Sequence, residues 1–354
     1  APFEAESAPT PLGAARGDAP AGRVVFMTEL LLRFDGHSED DVPTENEWAT
    51  REDVHLALPF TAMCAARAMG VEVVSLSPIG QGPRASIIAE ALAREGIVDA
   101  GPRVEGCDNG FLSPPLKQYG ASVGSGMTEM PEDAWDEAIR TLGPSDVLFV
   151  DGGIVSQAVL AACEHALAHL PDHVRIILDA SQGHVRQRSL PNDNVLIMVG
   201  YDSAESLCRS VSYERPSGDC TKYPRSGADK VRSDFHQNTL VRAQTHESYL
   251  ARAVQDKYSS DGEVTRFPAP TVTSTDLRGA LHTSMGALAA GFALGYTLER
   301  SIVLANCAGA LASTMPGPAS CPSREEVEAA ADALKDRGDD YMRRRDRIYG
   351  ALAG

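Results

Sequence analysis

The sequence has little positive charge. Among its 354 residues, 32 are Lys or Arg and 49 are Asp or Glu, which gives a formal net charge of -17. Proteins that bind phosphate backbones or anionic membranes do so through basic surfaces, and a strongly acidic chain offers no such surface. We therefore expect neither nucleic acid nor a membrane as a partner.

Cysteine pairs and metal-binding clusters are missing as well. The seven cysteines are scattered, with no C-x-x-C pair and no Cys/His spacing typical of zinc. His165 and His169 share one face of a predicted helix, but no third ligand is near them in the sequence, so no metal site is predicted. An odd number of dispersed cysteines is typical of reduced thiols, and we expect a cytoplasmic protein.

The sequence also lacks a targeting segment and several familiar catalytic signatures. Residues 1–22 have neither the basic start nor the apolar run of a signal peptide, and their Ala, Pro, Gly and acidic composition predicts a disordered leader. The longest uncharged run, residues 279–298, contains polar side chains and four glycines, which favours a buried helix and turn over a bilayer span. No Walker A loop, Rossmann fingerprint or nucleophile elbow occurs.

What the chain does contain is a regular alternation of strand and helix patterns. Residues 23–34 are a β-rich apolar run, predicted to be the first central strand. Further strands are predicted at residues 71–77, 146–151, 174–179 and 195–199, and helices at residues 59–69, 86–95 (with Ser86 as N-cap), 131–142 and 155–170. This order predicts an α/β fold, a doubly wound and mostly parallel sheet with helices on both faces and ligands at the carboxyl ends of the strands.

Two segments interrupt the alternation. Residues 111–123 contain prolines and a glycine, as short strands of a protruding lid would, and we place the lid at about 108–125. Residues 209–238 are polar and rich in turn formers, which predicts a surface loop or flap that is either functional or disordered. The main domain is expected to span 23–320, followed by a charged helical segment at 321–354.

The stretch from Pro268 to Pro318 carries a specific resemblance. Gly279-Ala280-Leu281-His282 opens a run of small residues, and Asn306-Cys307-Ala308-Gly309-Ala310-Leu311 follows it. This arrangement resembles the ribokinase-like (PfkB) carbohydrate kinases, which close with a Gly-Ala-Gly-Asp run and an Asn-x-x-Gly-Ala-Leu pattern. Thr28-Glu29 and Ile177-Leu178-Asp179 are similar to strands of the same family, nearest its 2-keto-3-deoxygluconate kinase branch, and the resemblance covers about residues 23–318.

The departures from this family fall on its functional positions. His282 stands where the family has its catalytic Asp. The sugar-holding Gly-Gly and Asn signature aligns with Leu56-Ala57 and Thr61, and the Asn-x-x-Glu motif of the magnesium and phosphate shell aligns with residues 200–203. The Thr-x-Gly-x-x-Gly strand end near the nucleotide aligns with residues 245–249. Four motifs are altered, whereas the sequence between them still matches the family pattern.

The resemblance implies roles for particular residues. His282 is the candidate base, since histidine suits proton abstraction at neutral pH, and the alternative is a packed or ligand-contacting His in a retired kinase. Asp276, a few residues before the helix, is expected to cap it. The remaining candidates are Arg278, Gly279, Ala280 and Leu281 for the anion hole, Glu29, Arg33, Thr61 and Asp179 for substrate, and Asn306 and Gly309 for the cofactor side.

We therefore expect a divergent sugar-kinase homologue that binds a small polar ligand, sugar- or nucleoside-like, without conventional ATP-dependent phosphorylation, and that uses His282 in another reaction. One alternative is an active ATP-dependent carbohydrate kinase with His282 as base, in which case ATP and magnesium are its cofactors. Another is a non-catalytic binding protein. Because lid strands in this family often pair across a dimer, a homodimer through the lid is expected.

Overall fold

The computed structural model describes residues 21–34, 47, 54–112, 127, 129–180, 194–200, 224–235, 237–243, 246–253, 264–317 and 320–335. The strands are β1 (Arg23–Met27), β2 (Leu32–Phe34), β3 (Val54–Leu56), β4 (Glu72–Ser75), β5 (Val98–Asp99), β6 (Phe111–Leu112), β7 (Val147–Asp151), β8 (Arg175–Asp179), β9 (Val195–Gly200), β10 (Asn238–Arg242), β11 (Ser248–Ala251) and β12 (Val264–Phe267). The helices are α1 (Leu58–Ala68), α2 (Pro83–Arg94), α3 (Asp136–Arg140), α4 (Gln157–Ala168), α5 (Pro224–Phe235), α6 (Ala280–Ala293), α7 (Leu298–Ala312) and α8 (324–335).

Nine strands form one sheet in the order β12-β11-β10-β9-β8-β7-β1-β4-β5. The strands from β10 to β5 in this order pair in parallel, and only β11 and β12 join antiparallel. The central strands are apolar on both sides, as parallel strands covered by helices must be. The predicted doubly wound α/β sheet is confirmed.

Two hydrophobic cores lie on opposite faces of this sheet. Phe26, Phe149 and Ile177 face the core that contains residues of α1, α2, α6, α7 and α8. Their neighbours along the strands face the other core, with residues of α3, α4 and α5. Helix α6 is apolar nearly all round and almost wholly buried, and it packs between α1, α7 and the sheet.

A second sheet of three short strands, in the order β3-β2-β6, forms the lid. Strand β6 falls in the region predicted for the lid, at about 108–125, whereas residues 113–125 of that region lie outside the described residues. The single strand predicted over residues 23–34 is wrong, because the chain leaves the main sheet after β1 and enters the lid as β2. Strand β2 pairs antiparallel with β3 and parallel with β6. Dimer formation through these strands stays a prediction.

The connection between the two sheets is held by long-range hydrogen bonds. The Leu30 N–H donates to Ser77 Oγ at 2.8 Å, and Asn109 Nδ2 donates to the Leu30 carbonyl at 3.2 Å. Asn109 is fully buried, and its Nδ2 also reaches the Pro78 carbonyl at 3.0 Å. These side chains satisfy backbone groups that leave one sheet before they join the other.

The insert predicted over residues 209–238 is only partly a loop. Its C-terminal part is α5, which packs against β10 and β11 with Ala228 and Val231 fully buried. This overturns the view of the whole segment as a surface loop or flap. The sequence obscured the helix because only a few small apolar residues, spaced three apart, cover the sheet. Residues 201–223 lie outside the described residues.

Two helix starts also differ from the sequence-based expectation. Helix α2 begins at Pro83, with Gly82 at the N-cap and Pro in the first turn, so Ser86 is not its N-cap. Asp108 accepts hydrogen bonds from the N–H groups of Arg84 and Ala85 and thus caps the helix from a distant loop. Helix α3 covers only five residues of the stretch predicted at 131–142, because turns occupy its start.

The segment predicted to be helical after residue 321 contains α8 within its described part. The leader at residues 1–20 and the chain after residue 335 fall outside the described residues. Among the helices that the structure describes, none is long and apolar enough to cross a membrane.

Candidate functional site

Three polar side chains lie side by side where neighbouring strands end. Asp151 and Asp179 are the last residues of β7 and β8 and are directly paired in register. Thr28 follows the last residue of β1, which pairs with β7. Because side chains alternate along a strand, Asp151 and Asp179 point to the same face as Phe149 and Ile177, toward α6. All three are at most 4% exposed, so the strand ends bury two adjacent carboxyl groups.

The environment of Asp151 favours the protonated form of its carboxyl group. Burial and, to a smaller extent, the neighbouring charge of Asp179 together raise the pKa of Asp151 to about 6. Hydrogen bonds from Thr28 Oγ1 at 2.6 Å and from the Gly153 N–H at 2.7 Å act in the opposite direction. Desolvation exceeds these bonds, so this carboxyl can hold a proton close to neutral pH.

We expect Asp151→Asn to stabilise the protein above about pH 6. The folded pKa of Asp151 is raised, so the unfolded chain releases this proton first and stability falls as pH rises through the window from 3.8 to about 6. Asn mimics the neutral form and removes this loss. The expected gain is about 1–3 kcal/mol in slightly alkaline buffer and close to zero near pH 4, measured by urea unfolding at both pH values.

Asp146→Asn is the matched control, because Asp146 lies just before β7 but is paired with Arg23, Nε to Oδ2, at 3.1 Å. It should lose stability at neutral pH. If Asp151→Asn lowers the free energy of unfolding at every pH, the charged form of Asp151 does not destabilise the folded protein and this assignment is wrong.

His282 faces the acidic pair from the first turn of α6. Its Nε2 lies 3.4 Å from Asp179 Oδ2, and the side chain is 11% exposed. An Nε2–H that donates to this carboxylate leaves Nδ1 as the proton acceptor, the arrangement of a base oriented by an acid. The structure thus brings together two of the residues predicted from the sequence, His282 and Asp179.

The start of α6, where the resemblance implies an anion hole, differs from the family pattern. Gly279 is the N-cap, with φ of 79°, and no side chain of the described residues caps the helix. A Cβ added at Gly200, the end of β9, would lie 3.0 Å from Leu281 Cδ2. Leu281 therefore fills the space beside Gly200. These two departures from the family pattern are neighbours, and each fits the other.

Arg278 and Asp276 bind each other beside this helix start. Arg278 Nη2 donates to Asp276 Oδ2 at 2.8 Å, and the Arg278 N–H donates to Asp276 Oδ1 at 2.9 Å. Bonds from Arg278 lower the pKa of Asp276 to about 2. The Gly317 N–H also donates to Asp276 at 3.2 Å. The expectation that Asp276 caps α6 is wrong, because it binds the turn before the helix and the N-cap is Gly279.

Glu29, predicted to contact substrate, caps a helix in this structure. Its Oε2 accepts hydrogen bonds from the N–H groups of Val155 and Ser156 at 3.1 and 2.9 Å, and its Oε1 accepts from Ser156 Oγ. Ser156 is the N-cap of α4, where a carboxylate also meets the positive end of the helix dipole. Glu29 is 3% exposed, so both of its oxygens are used inside the protein.

The two other predicted substrate residues lie on different elements. Arg33 is half-buried in the lid strand β2, opposite His55 of β3. Thr61 is buried in α1, and Cys321 Sγ lies 3.8 Å from its carbonyl oxygen. Their roles toward a substrate stay predictions.

Asn306 and Gly309, predicted for the cofactor side, serve the interior of the fold. Asn306 Oδ1 accepts from Ser248 Oγ at 2.5 Å, and its Nδ2 donates to the carbonyls of Phe267 and Pro268 at 3.1 Å each. A Cβ at Gly309 would lie 2.0 Å from Ser284 Oγ, so this glycine allows α7 to approach α6 closely. Their role toward a cofactor stays a prediction.

Sequence reasoning missed Thr28 and Asp151. Each follows an apolar strand and precedes a turn, which is the only local signal they give. Strand pairing brings the two residues together, and Thr28 Oγ1 bonds Asp151 although they are 123 residues apart in the chain.

His165 and His169 do not share a common partner. His165 Nε2 lies 3.3 Å from Asp136 Oδ1, and His169 Nδ1 bonds the His165 carbonyl at 2.8 Å. The described part of the chain holds no group of three side chains suited to a metal.

Comparison with solved structures identifies the fold. Phosphofructokinase-2 from Escherichia coli in complex with potassium superposes with a TM-score of 0.62 at 15% identity, over 89% of this chain and 100% of that chain. Ribokinase from Thermotoga maritima superposes with a TM-score of 0.62 at 16% identity, over 88% of this chain and 99% of that one. For 2-dehydro-3-deoxygluconokinase from the same organism the values are 0.62, 16%, 88% and 99%.

The class of fold is therefore α/β and ribokinase-like, as the resemblance implied. The structural neighbours are kinases of the PfkB family, and they extend over most of the chain. No family model matches the sequence, and no curated protein matches it. At these identities the likeness establishes the fold, and the reaction has to be argued from the site itself.

Proposed function

We propose that this protein is a divergent sugar-kinase homologue that binds a small polar ligand, sugar- or nucleoside-like, and does not carry out conventional ATP-dependent phosphorylation. His282 is its base in another reaction. The observation that supports this proposal best is a pair of departures from the family pattern at the start of α6. Leu281 fills the space beside Gly200, and His282 lies beside Asp179.

ATP with magnesium does not fit the residues at this site. Phosphoryl transfer depends on metal ions and on N–H groups placed against the developing charge. Leu281 brings a branched side chain to the start of α6 and fills the space beside Gly200.

The acidic pair and His282 suit proton transfer at a hydroxyl group. His282 Nε2 lies 3.4 Å from Asp179 Oδ2, and an Nε2–H directed at this carboxylate leaves Nδ1 to take a proton from a ligand hydroxyl. Asp151, with its pKa near 6, can keep a proton beside Asp179 and limit the negative charge at the strand ends. Buried hydroxyl and carboxyl groups in this row also suit the hydrogen-bonding of a polyhydroxylated ligand.

One observation favours a second candidate, an active ATP-dependent carbohydrate kinase with His282 as base. Gly279 keeps its left-handed conformation, and no side chain of the described residues caps α6, so the helix still offers backbone N–H groups to an anion.

Isothermal titration with ATP and magnesium separates the two candidates. We expect no saturable binding, or a Kd weaker than about 1 mM, because Leu281 closes the phosphate side of the site. A micromolar Kd would overturn the proposal and favour the kinase.

His282→Asp, which restores the residue of the family, is the companion variant. It should show no ATP-dependent phosphorylation, since Leu281 still lies against Gly200. Robust phosphorylation by this single variant would show that one residue had silenced an intact kinase. Sugars that raise the Tm of the protein are then incubated with it. Analysis of the products distinguishes a catalyst from a binding protein.

A further inference from the structure

A pocket of about 730 Å³ lies between the segment that follows β5 and the starts of α3 and α4. Val104 and Met130 line it and are 7% and 9% exposed, and Ala134 and Ala158 add further apolar surface. Val104 and Met130 belong to the core that contains α3 and α4, on the face of the sheet opposite α6. The pocket is therefore separate from the candidate site, and the proposed function gives it no role.

Three carboxylate side chains line the same pocket. Glu105 follows Val104 in the chain, while Glu129 precedes Met130 and Asp133 comes after it. All three residues are exposed, and none of them has an ion-pair partner in the part of the chain that the structure describes. Carboxylates that share one pocket repel each other, and a positive charge placed among them relieves this repulsion.

Arg103 also lines the pocket, but its positive charge is already balanced. Its Nη2 donates to Asp99 Oδ2 at 2.6 Å, and its Nη1 donates to Asp99 Oδ1 at 3.2 Å. These hydrogen bonds raise the pKa of Arg103. Because Asp99 occupies this guanidinium in a bidentate pair, the carboxylates of Glu105, Glu129 and Asp133 leave the pocket with a net negative charge.

We propose that this acidic pocket binds a small organic cation, an ammonium group on an apolar chain or ring. Its volume fits one small molecule, since small-molecule sites occupy about 300–1,000 Å³. The ammonium group pairs with the carboxylates, and the hydrocarbon part covers Val104 and Met130. The negative charge disfavours an anion, and the apolar lining favours an amine over an inorganic cation.

Isothermal titration of the full chain with hexylammonium chloride tests this proposal, in a phosphate buffer that contains no other amine. We expect saturable binding of one equivalent, with a Kd between about 10 μM and 1 mM. Sodium hexanoate, hexanol and ammonium chloride at matched ionic strength should bind at least about tenfold more weakly, because each lacks either the positive charge or the hydrocarbon chain. No saturable binding of hexylammonium, or equal affinity for hexanol, overturns the proposal.

A shorter amine measures the contribution of the apolar lining. Butylammonium should bind about tenfold more weakly than hexylammonium, since each buried CH₂ group changes the affinity by up to about fourfold. Equal affinities for the two amines would mean that the hydrocarbon does not lie against Val104 and Met130, and the proposal would be wrong.

The double variant Glu129→Gln/Asp133→Asn removes two of the three carboxylates and keeps the shapes of their side chains. It should weaken hexylammonium binding by about fivefold, since exposed ion pairs contribute modestly. Glu132→Gln is the matched control, because Glu132 is exposed in the same segment but does not line the pocket. An unchanged Kd in the double variant, or an equal loss in the control, contradicts the proposal.

Ala158→Met places a longer side chain in the pocket, at the second residue of α4, where methionine is a good helix former. It should abolish saturable binding, and if it does not fold, the double variant still carries the test. His282→Ala should keep the affinity for hexylammonium, because His282 lies on the other face of the sheet. Loss of binding in that variant would locate the amine at the candidate site and overturn the proposal.

Discussion

His282→Ala is expected to abolish turnover of the ligand while leaving the melting temperature nearly unchanged. Loss of a general base costs typically about 10²–10⁴-fold in rate, because the hydroxyl of the substrate then keeps its proton in the transition state. The substrate is found first, by thermal-shift screening of sugars, sugar acids and nucleosides and by product analysis of those that bind. The rate of the variant is then measured on that substrate.

The control for this variant is His165→Ala, which removes a histidine that also contacts an aspartate but lies on α4. It should keep full activity. If His282→Ala lowers the Tm and spares ligand binding, then His282 serves packing and the assignment of a base is wrong.

Gly286→Ala is expected to lower the free energy of unfolding by about 3 kcal/mol or more. A Cβ at this position would lie 2.0 Å from the Ala62 carbonyl oxygen and 2.9 Å from Ala65 Cβ, so α6 could not keep its distance from α1. The neighbouring atoms belong to a helix backbone and cannot rotate away. Urea unfolding at neutral pH measures the loss, with the midpoint compared at unchanged slope.

Gly143→Ala is the matched control, because its Cβ would meet only Asp146 Oδ2, at 3.8 Å. It should change stability by less than about 0.5 kcal/mol. A similarly small change for Gly286→Ala would show that α1 and α6 can separate without loss. Since α6 also carries His282, a displaced helix should reduce activity as well, and the two losses should appear together.

The fold was predictable because its signals are local. Apolar runs such as those of β7, β8 and β9 predict the strands of the sheet. The run of small residues in α6 matches the family pattern and so identifies His282 as the residue at the family's catalytic position. Helix α5 was missed because, among its residues whose burial is described, only Ala228 and Val231 are both apolar and buried, which is too few to give a helical pattern. The break after β1 was missed because the residues on both sides of it are equally apolar.

The candidate site was only partly predictable, since its chemistry arises from contacts between distant segments. Asp179 and His282 were named from the sequence, but the partner of Asp179 in the next strand, Asp151, was not. The role of Glu29 depends on the start of α4, 127 residues later, and no pattern near Glu29 indicates this bond.

The bonds around Leu30 decide where the lid can move. Thr28 is tied to β7, Glu29 to the start of α4, and Leu30 to Ser77 and Asn109, so three consecutive residues are anchored to separate parts of the main domain. Such a segment cannot bend without breaking several buried hydrogen bonds. Any opening of the lid would therefore have to pivot beyond Leu30, and Thr28 would stay beside Asp151 in such a movement.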